Sequence, residues 1–377
     1  MRQARRVALL GLVALAGCGP AASPPTGASL GLPALATPAD NPVTPAKVAL
    51  GRKLFFDRRL SPNRTMSCAM CHVPEQGFTA HELATPVGIE GRSVRRNAPT
   101  VLNVAFQKRL FHDGREISLE YQIWGPLLAR NEMGNPSIGY VIERIRSLGE
   151  YDGLFEAAFD GHGVSAERIG AAIASYERTL VAGDSRFDRW RYAGDASALS
   201  ETERRGFELF VGKGRCAACH PVGERDALFT DQGFHNTGVG WRRTFEIPDR
   251  TRVELAPGVV AELDRRTVAS FSEAPANDVG RYEITLDPKD RWAYKTPSLR
   301  NVALTAPYMH DGSLATLEAV IEFYDRGGMD NPEKSPLLVP LGLTAEERGA
   351  LAAFLRALTG SRVQALVDDA RAAPVGQ

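Results

Sequence analysis

Cysteine is scarce in this sequence, with five residues among 377. Four of them form two Cys-x-x-Cys pairs, so only Cys18 is left over and no disulfide framework is expected. The charges balance, with 45 Lys and Arg against 45 Asp and Glu, whereas a nucleic-acid binder normally carries a basic excess. The apolar run from Val7 to Ala16 is too short for a transmembrane helix. A disulfide scaffold, a nucleic-acid partner and a membrane span are therefore not expected.

The N-terminus has the pattern of an export signal. Three arginines precede the apolar run, which ends in Leu15-Ala16-Gly17-Cys18. This ending resembles a bacterial lipobox, so residues 1–18 are predicted to be a lipoprotein signal peptide with Cys18 acylated. An ordinary cleaved signal is the alternative. Residues 19–40 are rich in Pro, Ala, Ser and Gly, which predicts a flexible tether. The predicted location is the periplasm, with membrane contact only through the lipid anchor.

Two motifs carry the chemistry: Cys68-Ala-Met-Cys71-His72 and Cys216-Ala-Ala-Cys219-His220. In a Cys-x-x-Cys-His motif, both thiols form thioethers with one haem and the histidine binds its iron. A zinc site made of the two pairs is the alternative. Structural zinc pairs usually lie about 15–20 residues apart. Here the pairs are 148 residues apart and a histidine follows each, so two covalently bound c-type haems are predicted, with His72 and His220 as ligands.

The chain repeats itself. The segment Pro99-Thr-Val-Leu-Asn103-Val104, followed by His112-Asp113-Gly114, recurs 198 residues later as Pro297-Ser-Leu-Arg-Asn301-Val302 and His310-Asp311-Gly312. The repeat predicts two tandem cytochrome c-like domains, an N-terminal haem domain at 41–199 and a second at 200–360, with a tail at 361–377. The fold class is predicted to be mainly α with few short strands. Possible hairpin segments lie between Thr244 and Tyr294, in a stretch with no counterpart in the first half.

Local signals mark several helices. Thr44-Pro45 predicts a helix through about Phe56. Capping boxes are predicted at Ser200 with Glu203 and at Thr344 with Glu347, and Ser165 and Thr316 are predicted N-caps.

The halves differ at Tyr324, whose repeat counterpart is Pro126. A phenol can bind iron and a proline ring cannot, so Tyr324 is a candidate ligand that closes one haem while the other stays open. A packed core tyrosine explains the pattern equally well.

The blocks His112–Gly134 and Thr296–Glu318, together with the two haem motifs, resemble the bacterial di-haem cytochrome c peroxidase and MauG superfamily. The resemblance extends from about Asn41 to Gly360. Peroxidases of this superfamily usually place a Met where Tyr324 stands. The MauG branch places a Tyr there, followed by a glycine pair, and Tyr324-Asp-Arg-Gly327-Gly328 is similar to that branch. The resemblance thus favours Tyr324 as the second ligand of the His220 haem.

The resemblance also implies further site residues. Glu132 and Gln122 match the distal pocket of the peroxidatic haem, where a carboxylate moves the peroxide protons and an amide holds the peroxide. Asn97, Thr305 and Pro307 match the calcium site between the haems, and their oxygen donors suit a hard cation.

Three positions depart from the family pattern. No histidine stands where peroxidases that need reductive activation carry a distal His, and His81 is expected at the surface. His112 replaces the Trp that commonly lies between the haems, which makes it the candidate inter-haem residue. Gly214 replaces a Trp that the MauG enzyme of methylamine dehydrogenase maturation carries, so oxidation of that same partner is not expected.

Three functions follow as hypotheses. The first is a MauG-like oxidoreductase that uses hydrogen peroxide to form a high-valent di-haem state, which oxidises an electron donor or an oxidisable Trp or Tyr of a protein partner. The alternative is a detoxifying cytochrome c peroxidase, supplied with electrons by a small cytochrome c or cupredoxin. A non-enzymatic electron carrier is a third class, against which the open Glu132–Gln122 pocket argues.

Overall fold

The computed structural model describes residues 29–245, 250–256, 259–264, 266–267 and 277–372. The predicted signal peptide and Cys18 lie outside the described residues. Among those described, no helix is both long and apolar enough to cross a membrane. The predicted mainly α fold is confirmed, with 42% of residues in helices and 7% in strands.

Each half is built around a pair of crossed helices. The helices are α1 Pro45–Phe56, α2 Leu119–Gln122, α3 Trp124–Leu128, α4 Ile138–Arg146, α5 Leu154–Ala158, α6 Ala166–Glu177, α7 Arg186–Tyr192, α8 Glu201–Val211, α9 Val239–Phe245, α10 Tyr282–Thr285, α11 Leu317–Asp325, α12 Ala345–Arg356 and α13 Val363–Arg371. Helix α1 crosses α6 in the N-terminal half, and α8 crosses α12 in the C-terminal half.

Matched glycines allow these crossings. A Cβ on Gly51 of α1 would lie 1.9 Å from the Ala172 carbonyl oxygen of α6. A Cβ on Gly206 of α8 would lie 2.0 Å from the Ala350 carbonyl oxygen of α12. Both contacts are far too short for a side chain, so only glycine lets the backbones approach this closely. The repeat seen in the sequence is therefore also a repeat in packing.

The predicted helix starts are confirmed. The Thr44 hydroxyl accepts a hydrogen bond from the Lys47 N–H at the start of α1. Both predicted capping boxes form, at Ser200–Glu203 and at Thr344–Glu347. Such caps bond backbone N–H groups that the first turn leaves free, and each contributes about 1 kcal/mol.

The strands form two short antiparallel pairs. β1 (Phe234–His235) pairs with β4 (Tyr294–Lys295), and β2 (Arg250–Ala256) forms a hairpin with β3 (Val259–Asp264). The predicted hairpin in the unmatched stretch is thus present. The β1–β4 pair holds the start of the second repeated segment beside the second haem motif.

The packing crosses the predicted domain limits. Phe187 and Leu199, just before the predicted boundary at 199/200, belong to the core of the C-terminal half. Helix α13, within the predicted tail, packs Leu366 and Val367 into the N-terminal core. Within the predicted tether, the Gly31 carbonyl accepts a hydrogen bond from Arg300, which also pairs with Asp188 in the C-terminal interior.

Candidate functional site

The first haem motif presents its histidine in a fixed orientation. Cys68–Met70 form a tight turn, and the His72 N–H donates to the Cys68 carbonyl at 3.0 Å. The His72 Nδ1 lies 3.2 Å from the Phe78 carbonyl oxygen, to which it donates as the neutral tautomer. Burial lowers the pKa of His72, which favours that neutral form. The remaining nitrogen, Nε2, is free to bind a metal, an arrangement typical of ligating histidines.

The second motif is built in the same way. The His220 N–H donates to the Cys216 carbonyl at 2.9 Å, and Nδ1 lies 2.7 Å from the Phe229 carbonyl oxygen. Burial again lowers the pKa of the histidine. The four motif cysteines are not in disulfides. Two unpaired thiols beside an oriented imidazole fit covalent attachment of a haem at each motif.

Tyr324 faces the second motif from α11. Burial raises the pKa of its phenol, and the thiols of Cys219 and Cys216 are close enough to add to the effect. The hydroxyl makes no hydrogen bond with another described residue. On the same helix, Leu317 and Ile321 are buried, so that face of α11 packs toward the interior. A buried phenol that lacks a polar partner and points toward the haem motif has the properties expected of an iron ligand.

The repeat counterpart of Tyr324, Pro126, lies on α3. The pyrrolidine ring of proline carries neither a donor atom for iron nor an N–H. The position that corresponds to Tyr324 in the N-terminal half therefore offers no metal-binding group.

Glu132 lies near the first motif. Its carboxylate is close enough to raise the pKa of Cys68 and Cys71. Burial raises the pKa of Glu132 itself, and Arg115 partly opposes this shift. Within the described part of the chain its carboxylate has no hydrogen-bond partner. A carboxyl group with a raised pKa is a stronger base than an ordinary carboxylate, a property that suits acid–base catalysis.

The loop that holds Glu132 is fixed by its backbone. The Ile89 N–H donates to the Glu132 carbonyl at 2.7 Å. A Cβ on Gly88 would lie 2.1 Å from the Asn131 carbonyl oxygen, so this close approach requires glycine. Gln122, the other predicted distal residue, ends α2 directly before α3, and its side-chain amide has no described partner. Both groups are thus left free for a bound molecule.

His112 and His310 lie close together at the seam, by which we mean the region where segments of the N-terminal half contact segments of the C-terminal half. Their ring centroids are 6.5 Å apart, and the His112 Nε2 lies 2.9 Å from the Asn97 carbonyl oxygen. Burial lowers the pKa of His112 to about 4, so it is neutral and donates through Nε2. The seam is continuous with both haem motifs because the carbonyls of Pro99 and Pro297 lie near the rings of His72 and His220, respectively.

A buried network behind His310 was missed by the sequence reasoning. The Tyr294 ring stacks on His310 with centroids 3.5 Å apart, and its hydroxyl donates to Asp278 at 2.9 Å. Arg96 binds both oxygens of Asp278 and also pairs with Asp113. Asp113 belongs to the repeated His-Asp-Gly segment, which was the one signal for this cluster. Asp278 lies in the unmatched stretch, where the repeat gives no guidance.

The three predicted calcium ligands lie on segments that meet at the seam. The Asn97 N–H donates to the His310 carbonyl at 2.8 Å, which joins its segment to the one that contains Thr305 and Pro307. The Asn97 Nδ2 donates to the Ala84 carbonyl at 2.9 Å, so Oδ1 is oriented and has no described partner. One free amide oxygen beside free carbonyls fits a hard cation. His81, as expected, is exposed, and its Nε2 lies 2.6 Å from the Leu304 carbonyl oxygen.

Known proteins resemble the chain over nearly its full length. A family model described as di-haem cytochrome c peroxidase matches residues 45–197. The chain is 38% identical to cytochrome-c peroxidase IdrP1 of Denitromonas iodatirespirans, over 98% of this chain and 95% of the relative. It is 39% identical to the methylamine utilization protein MauG of Methylorubrum extorquens, over 85% of this chain and 80% of the relative. A solved MauG-like protein associated with microbial copper homeostasis superposes with a TM-score of 0.71 at 34% identity, over 88% of this chain and 95% of that one.

Proposed function

The chain belongs to the di-haem cytochrome c peroxidase family, which includes MauG, and on this premise we propose that it is a MauG-like peroxide-dependent oxidoreductase. In this proposal the haem at His72 reacts with hydrogen peroxide. The oxidising power is shared with the haem at His220 and passes to an electron donor or to an oxidisable Trp or Tyr of a protein partner. The family assignment itself establishes a di-haem peroxidase, and the proposal concerns which kind.

Tyr324 is the observation that supports the MauG-like role. Its buried phenol faces Cys216 and Cys219 and has no described hydrogen-bond partner. A phenolate is a harder and more negative ligand than a thioether, so it stabilises oxidised iron and lowers the reduction potential. A haem tuned in this way is suited to storing oxidising equivalents and is a poor entry point for electrons.

The residues of the N-terminal half provide the proton chemistry. When bound, the haem at His72 supplies the iron that accepts the peroxide oxygen. The Glu132 carboxylate, whose pKa burial raises, would take a proton from one oxygen of the peroxide and return it to the other. In the proposal, the Gln122 amide would donate a hydrogen bond that orients the peroxide. The absence of a ligating group at Pro126 keeps this side accessible.

Calcium and export belong to the same proposal. Asn97, Thr305 and Pro307 would hold one calcium ion through the free Asn97 Oδ1 and two backbone carbonyls. The N-terminal signal and the thioether chemistry support a periplasmic protein, and the lipobox-like Cys18 supports a lipid anchor.

The decisive experiment adds one equivalent of hydrogen peroxide to the diferric protein without any reductant. We expect the ferric EPR signals of both haems to disappear together, and Mössbauer spectra to show both irons oxidised beyond the ferric state. If peroxide has no effect until one haem is reduced, the proposal fails and the protein is an activatable peroxidase.

A detoxifying cytochrome c peroxidase is the second candidate. The observation that favours it is the 38% identity to a cytochrome-c peroxidase over 98% of the chain. Rapid steady-state turnover of peroxide with a reduced small cytochrome c or cupredoxin would favour this function over the MauG-like one.

A further inference from the structure

The internal repeat gives each of the following residues between the halves a counterpart in the other half. Across the same separation of 198 residues, Asn97 corresponds to Lys295 and His112 corresponds to His310. The proposed calcium ligands Thr305 and Pro307 likewise correspond to Gln107 and Arg109. The candidate calcium site, which combines Asn97 with Thr305 and Pro307, therefore has a counterpart that combines Lys295 with Gln107 and Arg109.

The structure forms both members of this pair with the same backbone contacts. The Asn97 N–H donates to the His310 carbonyl at 2.8 Å, and the Lys295 N–H donates to the His112 carbonyl at 2.7 Å. The loops that follow also match, since Leu110 bridges to Glu116 as Tyr308 bridges to Leu314. The two sites are thus related by the internal symmetry of the chain and differ in their side chains.

The side chains of Asn97 and Lys295 differ in the chemical group that they place at the two sites. Asn97 ends in an oxygen that no described residue engages, whereas Lys295 ends in an ammonium group. The Lys295 Nζ donates to the Gln107 Oε1 at 2.8 Å, so the ammonium reaches the residue that corresponds to Thr305. No described carboxylate lies within ion-pair distance of this Nζ. Lys295 is partly buried, and withdrawing an ammonium from water beside a neutral oxygen alone is costly.

We propose that the Lys295 ammonium is a built-in cation that fills the symmetry counterpart of the calcium site. The inference rests on the proposed calcium site at Asn97. At that site the short amide leaves room for an ion that binds oxygen atoms at about 2.4 Å. At the counterpart, the long lysine side chain carries its own positive charge to the side-chain oxygen of Gln107, the residue that corresponds to Thr305. The site at Asn97 therefore exchanges its calcium ion with solution. The site at Lys295 cannot exchange its cation, because the ammonium group is part of the chain.

Metal counting tests the inference. The holoprotein, Lys295→Asn and the matched control Lys295→Met are equilibrated with calcium chloride, desalted, and analysed for calcium per haem iron by atomic emission. We expect one calcium ion per chain in the natural protein and in Lys295→Met, and two in Lys295→Asn, because only the asparagine side chain restores an oxygen donor. Haem absorbance and thermal unfolding identify any variant that has not folded.

The reciprocal variant tests whether a lysine at the calcium site excludes the ion. Asn97→Lys should bind no calcium, and its haem spectra should be unaffected by EDTA, whereas EDTA should alter the spectra of the natural protein. One calcium ion in both the natural protein and folded Lys295→Asn would overturn the inference and leave the calcium site intact. No calcium in the natural protein would overturn the calcium site itself.

Discussion

The two halves of the chain share one helical plan but differ in the groups that surround each haem motif. Both cross a pair of helices at a glycine and orient a buried histidine through Nδ1. The C-terminal half adds the phenol of Tyr324, where the N-terminal half has Pro126. The N-terminal half adds Glu132, whose repeat counterpart Asp330 has a side chain that is 97% exposed. The comparison teaches that the same helical plan occurs in both halves, while the residues near each haem motif differ, and our proposal that one haem is open and the other closed rests on those differences.

Removing the acid–base group should produce the largest effect. We expect Glu132→Gln to slow the reaction with peroxide by roughly 10²- to 10⁴-fold, because the amide cannot transfer the proton. Stopped-flow absorbance of the ferric haems measures the rate. The matched control in the other half, Asp330→Asn, should react at the natural rate. Equal slowing in both variants would contradict a specific role for Glu132.

Replacing the phenol should make the second haem resemble that of an ordinary peroxidase. We expect Tyr324→Met to raise the potential of the second haem within the range of about 0.8 V that axial ligands span. After one equivalent of peroxide, this variant should retain the ferric EPR signal of that haem. The control is Tyr176→Phe, which removes another buried hydroxyl without a partner, in the N-terminal half. An unchanged potential in Tyr324→Met would show that the phenol does not bind the iron.

The shared plan itself is tested at the helix crossings. Gly51→Ala and Gly206→Ala should each reduce the free energy of unfolding by about 1–3 kcal/mol, because the added methyl group meets a carbonyl oxygen. Thermal unfolding of the holoproteins measures the loss. Gly349→Ala on α12, where a Cβ meets no neighbour, is the control and should be neutral or slightly stabilising. A loss at only one of the two crossings would show that the halves are not packed equivalently.

Features that depend on neighbouring residues were predictable from the sequence. Helix caps and the haem motifs each depend on residues within a few turns of one another. The internal repeat made one comparison between distant positions possible, because it aligned Pro126 with Tyr324. These predictions needed no knowledge of long-range contacts.

Features that join distant segments were not predictable. Arg96 and Asp278 are 182 residues apart, and Asp278 lies in a stretch without a repeat counterpart. The extent of each domain was equally hidden, since Phe187 and α13 pack against cores whose other members lie far along the chain. Sequence patterns identify which residues are apolar but do not reveal which core each residue joins.

The last difference between the halves is a buried carboxyl group. The Asn103 N–H donates to the Leu180 carbonyl and the Asn301 N–H to the Leu358 carbonyl, which aligns Glu177 of α6 with Leu355 of α12. Glu177 is only 5% exposed, and its Oε2 lacks a partner. Burial raises its pKa to about 8. One core thus contains a carboxyl group where the other contains a leucine.

This carboxyl should make the stability of the protein depend on pH. Between its ordinary pKa of 4.5 and the folded value of about 8, the folded chain retains a proton that the unfolded chain has released. Stability should therefore fall as the pH rises through this range, by at most about 1.4 kcal/mol per pH unit from this group. Chemical denaturation of the holoprotein at pH 6 and pH 7 measures the slope, which Glu177→Gln should flatten. The exposed Glu208→Gln on α8 should retain the natural slope, because that side chain lies in solvent in the folded protein as well. If the Glu177 variant also retains it, Glu177 is charged in the folded protein, and a partner bound beside the first motif must compensate that charge.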